Sequence, residues 1–321
     1  MMLTAWLAPF APFLAQGDVT DIFVNRPGEI WVERMGGGME RHAMPEVDEV
    51  RLWLIARGVA GISHQGISRE HPLMAATLPD GARVQVVAPP AAREGMAMAI
   101  RKHVVADLGL DDLGAQGMFD GAQFRQGMAP SAPVPAPGDG QGMGDYLAAM
   151  VRERRNILIS GGTSSGKTTL LNALIREIPH GERLVTIEDT AELSVPHANA
   201  VGLLAVRGAM GEAQVGGEDL LQASLRMRPD RIMLGELRGR EAYSFLRAVN
   251  TGHPGSMTTI HADSPEGAIE QLALIVLQAG LGLGRGDIVD YARSVVDVVV
   301  QLERRDGVRR VSRIITTRGA A

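Results

Sequence analysis

Lys167 and Thr168 are the residues of this chain most clearly placed to do chemistry. They close the run Gly161-Gly162-Thr163-Ser164-Ser165-Gly166-Lys167-Thr168, which follows an apolar Ile157-Leu158-Ile159 and leads into Thr169-Leu170-Leu171. G-x-x-x-x-G-K-T between a strand and a helix is the spacing of a phosphate-binding P-loop. Gly161, Gly162 and Gly166 let backbone N–H groups turn inward around a phosphate without Cβ clashes. The helix that starts near Lys167 adds its positive N-terminal end at the same place. Lys167 supplies a point charge for the β- and γ-phosphates, and the Thr168 hydroxyl is positioned to ligate Mg²⁺. The expected nucleotide-binding set is therefore Gly161, Gly162, Thr163, Ser164, Ser165, Gly166, Lys167, Thr168 and Thr169, with ATP and Mg²⁺ as the ligands.

Three further segments end an apolar run in a chemically loaded residue. Leu184–Ile187 runs into Glu188 and Asp189, and Arg231–Gly235 runs into Glu236. In a parallel sheet these ends share an edge with the phosphate loop, where a carboxylate can hold Mg²⁺ or orient an attacking water. Glu236 is assigned to activating the water, and Glu188 to positioning the metal or the water. Asp189 is its companion, and either residue of that pair could instead cap the chain that follows. Gly235, not an aspartate, precedes Glu236, so that strand alone is a weak signal. The third segment, Thr251–His261, carries a glycine turn and a strand and ends on His261, which could sense a γ-phosphate through a hydrogen bond. A lone histidine is as often a packed or solvated residue, and no metal-ligand spacing accompanies this one.

The elements that must position these residues alternate strand and helix. Candidate strands are Ile157–Ser160, Leu184–Glu188, Arg231–Gly235 and Ser256–His261. Candidate helices are Thr168–Glu177, Gly217–Arg226, Glu241–Asn250 and Pro265–Gln278. That alternation predicts a doubly wound, mainly parallel α/β sheet. Upstream, Val19–Val24 and Glu29–Glu33 read as a hairpin, as do Met74–Leu78 and Arg83–Val87 around Pro79-Asp80-Gly81. Met44–Gly58 places Val47, Val50, Trp53 and Leu54 at helical spacing. This half predicts a smaller α+β domain with an antiparallel sheet. Between the halves, Gly127–Gly144 is dense in Gly and Pro, and Asp111–Gln126 is weakly patterned, so both read as linker. The expected organisation is an N-terminal domain over 1–108, a linker over 109–144 and a C-terminal ATPase domain over 145–321.

Whole-chain properties narrow the class. The 321 residues suffice for two cores. A net charge of −5 does not suggest a general nucleic-acid or anionic-membrane surface. The absence of cysteine rules out disulfides and thiolate metal sites, and fits a reducing cytosol. The N-terminal MMLTAWLAPFAPFLAQG lacks a basic start and is interrupted by Pro9 and Pro12, so it reads as an arm packing on its own domain and not as a signal or span.

The four segments, in this order, resemble the secretion ATPase superfamily. GGTSSGKTTLLNAL is similar to its Walker A box, TIEDTAEL to its aspartate box, SLRMRPDRIMLGELRGREA to its atypical Walker B box with a Gly-Glu pair, and TGHPGSMTTIHADSP to its histidine box. EAYSFLRAVNTGHPGSMTTIHADSPEGAIEQLALIVLQ, together with VTDIFVNRPGEIWVE and GARVQVVAPP…AIRKH, most resembles the traffic ATPase of type IV secretion systems. The resemblance implies a RecA-like ATPase in a homohexameric ring, with nucleotide held between the two domains and basic N-terminal residues reaching the phosphates. Arg83 and Arg101 fall where that family's nucleotide-contacting arginines fall, with Arg93 and Lys102 as nearby alternatives and a solvated hairpin face as the plainer account. Among Arg226, Arg228, Arg231, Arg238 and Arg240, some could serve a neighbouring subunit, though ion pairing is the simpler role for most.

The expected activity is Mg-dependent ATP hydrolysis, with Glu236, Glu188, Lys167 and His261 as the catalytic set and Thr168 and Glu188 at the metal. It would drive a cytoplasmic motor on the inner face of the inner membrane that works with other secretion-system subunits. Its cargo would be a protein or nucleoprotein, and no direct sequence-specific nucleic-acid binding is expected. Pilus or conjugation ATPases of the same superfamily are the near alternative, and a nucleotide-binding assembly scaffold with little turnover is the alternative from another class. A RecA-like DNA motor is disfavoured, since 6 Phe, 3 Trp and 3 Tyr offer little for a base-stacking channel.

Overall fold

Local hairpins build the first sheet. The computed structural model describes residues 2–102, 133–206, 212–280 and 282–317, with 111, 115, 120 and 122 between. Strand β1 (Val19–Val24) returns as β2 (Glu29–Arg34) through a turn in which Gly28 has φ +89°, a conformation that only glycine adopts without strain. β3 (Met39–Ala43) extends that pair, and β4 (Leu73–Thr77), β5 (Arg83–Val87) and β6 (Ala97–Arg101) complete an antiparallel sheet in the order β3-β2-β1-β6-β5-β4. The β4–β5 turn is closed where Ala82 N–H donates to Asp80 Oδ1 at 3.0 Å and Leu78 N–H donates to the Ala82 carbonyl at 2.7 Å.

The helix expected over Met44–Gly58 begins later, as α3 (Glu49–Ile62). Asp48, in extended backbone, caps it by accepting the Arg51 N–H at 2.8 Å. The buried stripe is accordingly Leu52, Ile55, Ala56 and Val59, and Val50 is left 68% exposed. Short helices α1 (Met2–Trp6) and α2 (Ala11–Leu14) lie on this region, with Phe10 fully buried and Trp6 against Gly58, where a Cβ would come within 2.8 Å of the indole.

Alternation along the strands makes the sheet two-faced. Ile22, Val24, Val84, Val86, Met98 and Ile100 pack towards α3, whereas Phe23, Val87, Ala97 and Ala99 share a core with the C-terminal half. The stretch expected as linker falls largely outside the described residues. Its described end is anchored, with Val134 buried and Tyr146 O–H donating to the Pro135 carbonyl at 3.0 Å.

The C-terminal half is a doubly wound sheet ordered β13-β12-β7-β11-β10-β8-β9. Its strands are β7 (Ile157–Gly161), β8 (Leu184–Glu188), β9 (Ala200–Leu204), β10 (Arg231–Leu234), β11 (Met257–Ile260), β12 (Val298–Arg305) and β13 (Val308–Thr316). All pair in parallel except β13, which folds back on β12. Helices α4 (Met143–Arg152) and α5 (Lys167–Ile175) cover one face, and α6 (Gly217–Leu225), α7 (Glu241–Asn250), α8 (Pro265–Gln278) and α9 (Arg285–Val295) cover the other. Buried Ile157, Ile159, Met233 and Met257 face the first layer, while Leu158, Ile232, Leu234 and Ile260 face the second. Among the described residues no helix is long and apolar enough to cross a membrane.

Candidate nucleotide site

Parallel pairing brings four strand ends to one edge. Ile260 is level with Ser160, and Leu234 with both Ile187 and Thr258, so the residues that follow β7, β8, β10 and β11 converge. A cleft of about 440 Å³ opens there, lined by the 163–169 loop, Glu188, Asp189, Glu236, Arg238, Glu241, Thr259, His261 and Arg309.

The loop is shaped by its glycines at two points. Gly166 (φ +99°) makes the left-handed step into α5. At Gly161 a Cβ would lie 2.8 Å from the Leu302 carbonyl oxygen and 2.5 Å from Ser165 Oγ, so β7 can turn there only without a side chain. Lys167 Nζ is folded into this turn, donating to the carbonyls of Gly161 at 2.9 Å and Gly162 at 3.0 Å. Desolvation depresses its pKa, against an opposing pull from Glu236. The ammonium also lies 3.3 Å from His261 Nδ1. Lysine has no acceptor, so that nitrogen accepts and the ring proton belongs on Nε2. Nε2 lies 2.7 Å from Glu236 Oε1 in a contact whose angle leaves that oxygen without a formal hydrogen bond. Arg238 Nε holds the other oxygen, Oε2, at 2.8 Å. Glu236 is thus clamped from both sides with its carboxylate turned into the cleft.

Glu188 does part of what each of its two expected roles requires. Its Oε1 accepts the N–H groups of Glu192 (2.8 Å) and Leu193 (2.7 Å), capping the following turn. Its Oε2 is buried without a hydrogen bond, 3.8 Å from Arg93 Nη1. Burial raises its pKa, opposed by those two backbone donors. Asp189 stands 3.9 Å from Arg238 Nη1. Thr168 lines the cleft, as Glu188 does, and Ser165 Oγ is buried with no hydrogen-bond partner.

Other arginines sort by location. Arg231, fully buried, makes a bidentate pair with Glu182 at 2.7 Å for each bond and holds the structure, not the cleft. Arg228 pairs with Glu33 across the two halves and with Asp230 in its own. Arg83 and Arg101, expected at the phosphates, do not line this chain's own cleft. They sit opposite each other on β5 and β6, exposed, with Arg101 Nε 3.9 Å from Asp21 Oδ1. Asp21 lies in the charge field of Arg228 and Arg183, which precede β10 and β8, so this cluster occupies the edge opposite the cleft. The N-terminal arginine that does approach is Arg93, whose Nη1 also donates to the Leu193 carbonyl at 3.1 Å.

Sequence reasoning did not single out Glu241, Arg309 or Gln301. Glu241 Oε1 accepts the N–H groups of Arg238 (3.0 Å) and Gly239 (2.7 Å), fixing the turn after Glu236. Gln301 is buried on β12, where it accepts from Ser160 Oγ and donates to the Ala262 carbonyl at 3.1 Å, tying the end of β7 to the residue after His261. The only available signal was a polar residue inside the apolar run of β12.

Residues 139–307 match the family described as type II/IV secretion system protein. The type IV secretion system protein VirB11 of Bartonella quintana is 37% identical over 324 residues, covering 96% of this chain and 91% of its own length. PtlH of Bordetella pertussis, also a type IV secretion system protein, is 39% identical over 92% of this chain and 88% of its own. The chain belongs to the type II/IV secretion system protein family. The crystal structure of the VirB11 ATPase from the Brucella suis type IV secretion system, in complex with sulphate, superposes with a TM-score of 0.87 at 36% identity, covering 98% of this chain and 94% of that one. The fold of this family member therefore matches that of a secretion ATPase along nearly the whole chain, N-terminal sheet included.

Proposed function

We propose that this chain is the ATP-hydrolysing motor of a type IV secretion system. The observation that carries the proposal is the cleft itself, where Lys167, His261 and Glu236 form one contiguous chain of contacts beside a glycine-shaped P-loop. The family membership and the matching VirB11 fold support it. In this reading the loop N–H groups and Lys167 hold the β- and γ-phosphates. A water bonds to the γ-phosphorus as the bridging oxygen leaves with ADP, and Glu236 accepts the water's proton. His261 reports the γ-phosphate to Glu236, because its two nitrogens already touch Lys167 and that acid. Arg238 holds Glu236 in orientation through a charge-assisted hydrogen bond.

The cleft also fits Mg²⁺. A hard cation takes oxygen ligands, and Thr168 Oγ1 and Glu188 Oε2, which makes no hydrogen bond, are two that residues lining the cleft offer. When bound, the ion would offset the negative charge that builds on the phosphate oxygens.

We further propose a homohexamer, peripheral to the inner membrane on its cytoplasmic side. There it would work with other secretion-system subunits on a protein or nucleoprotein cargo or on pilus subunits. Arg83 and Arg101, placed away from this chain's own cleft, would then serve a neighbouring subunit's phosphates. A scaffold with little turnover is disfavoured by Glu236, whose clamp has no purpose in a site that only binds.

The test is Glu236→Gln. The variant should keep ATP affinity while hydrolysis falls by about 10²-fold or more. A variant that loses binding but retains its rate per bound ATP would show the acid to be misassigned.

A further inference from the structure

Arg309 stands out because the cleft's chemistry as proposed leaves it unused. It projects from the β12–β13 hairpin into the lining of the cleft, and its stem lies over the phosphate loop, with Cδ 3.3 Å from where a Cβ on Gly166 would be. It has no hydrogen bond or ion pair among the described residues, whereas its neighbour Arg310 pairs with Glu303 and Arg313 pairs with Glu266. Directly opposite it on β12 is Arg304. Two like charges facing each other across an antiparallel pair destabilise the hairpin. An anion at the open end of the cleft would reverse that sign, turning mutual repulsion into shared attraction.

The sheet order says which part of a nucleotide Arg309 meets. β12 and β13 lie on one side of β7, while β11, β10 and β8, which deliver His261, Glu236 and Glu188, lie on the other. A γ-phosphate belongs beside the acids. The hairpin therefore faces the opposite end of a nucleotide draped over the loop.

We propose that Arg309 is a nucleotide-binding residue that clamps the α-phosphate, at the adenosine end and away from the reacting bond. This rests on the nucleotide-site reading above and adds to it a contact from the C-terminal hairpin. A clamp there acts equally on ATP and ADP, since both carry the α-phosphate, and holds substrate and transition state alike. It thus governs how tightly nucleotide is retained and not how fast it is cleaved.

Equilibrium binding of ADP, ATP and inorganic pyrophosphate to the full chain tests this, alongside turnover. Arg309→Ala should weaken ADP and ATP by the same factor, about tenfold, and leave pyrophosphate unchanged. The rate at saturating ATP should stay within about twofold, with the loss appearing in KM. Arg309→Lys should recover part of the affinity. Arg310→Ala removes the same charge one residue away, outside the cleft lining, and should leave all three ligands unaffected. Unchanged ADP affinity in Arg309→Ala overturns the proposal, as does an equal loss in Arg310→Ala, which would mark a general field. A loss confined to ATP would move the contact to the γ-phosphate and overturn the placement. If the unaltered chain binds no ADP, the nucleotide-site reading itself fails, a different outcome from a binding chain indifferent to Arg309.

Discussion

Lys167 is held in a state that nucleotide would change. Its ammonium is satisfied by two loop carbonyls, yet burial lowers its pKa. A phosphate in the loop would raise that pKa, because an opposite charge favours the protonated form. The sign follows directly. Below the lowered value the lysine is already charged and binding is at full strength. As pH rises through the window between the lowered free value and the raised bound value, each binding event must take up a proton, and affinity falls. Calorimetry of ADP binding in buffers of different ionisation enthalpy should therefore show proton uptake at alkaline pH. Lys167→Arg, which stays charged throughout, should not show it. Uptake of the same size in that variant would assign the proton to another group. The residues of the loop were legible from the G-x-x-x-x-G-K-T spacing between a strand and a helix, and Glu188, Glu236 and His261 because each sits within a residue or two of an apolar run that had to be a strand. Arg309 and Gln301 were not, because nothing near them in the sequence says that β12 lies beside β7. The placement of Arg83 and Arg101 was equally hidden, since a strand pattern does not tell which edge of the neighbouring sheet it meets.

At the scale of elements, the cleft depends on how strand ends are stitched together. Thr259 Oγ1 donates to the Gly235 carbonyl at 2.8 Å, and Gln301 bridges β7 and the residue after β11. Gln301→Leu keeps the volume but leaves the Ser160 hydroxyl and the Ala262 carbonyl buried and unpaired. The expected cost is about 1–3 kcal/mol of stability, read as a lower melting temperature. Turnover should fall more than ADP affinity, since His261 loses its support while the loop keeps its shape. Unchanged turnover would mean that His261 is held by other means. The strands of the parallel core were readable because each is a short apolar run bounded by turn residues. β9, β12 and β13 escaped notice. β9 is five residues with a glycine at its centre, and β13 is largely exposed and carries three arginines, Arg309, Arg310 and Arg313. α3 shows the opposite error, where apolar spacing suggested a start before Asp48, and the cap decided it.

For the whole molecule, the two halves are joined around one buried cation. Arg183 is fully buried, stacks 4.0 Å from the Phe23 ring, and donates to Asn25 Oδ1 at 2.6 Å and to Asn199 Oδ1 at 2.5 Å. Burial, partly offset by nearby acids, pulls its pKa down to about 9, which still leaves it charged at neutral pH. Arg183→Met would strand the Asn25 oxygen and the Met227 carbonyl, leaving Asn199 Oδ1 only the Asn25 amide as donor, at a cost of about 2–4 kcal/mol. Differential scanning calorimetry should then resolve separate transitions for the two halves, and a single transition at the original temperature would show that the joint does not depend on this residue. The two-sheet architecture was readable from the sequence, but not this joint, because Arg183 and Asn25, which meet across it, are 158 positions apart in the chain. The same joint also involves the outer strand of the large sheet. The segment after β5 lies along β9, with Leu204 N–H donating to the Ala91 carbonyl at 2.8 Å and Arg93 N–H to the Gly202 carbonyl at 2.9 Å. That border is sealed by the chain itself, and the other border, β13, carries Arg309, Arg310 and Arg313, which would repel their counterparts on a second copy. Copies of this protein therefore cannot fuse through a continuous backbone ladder of this sheet. Any contact between copies along the borders of this sheet would run through side chains, which leaves β3 and β4 of the other sheet as the outer strands still open to a partner's backbone.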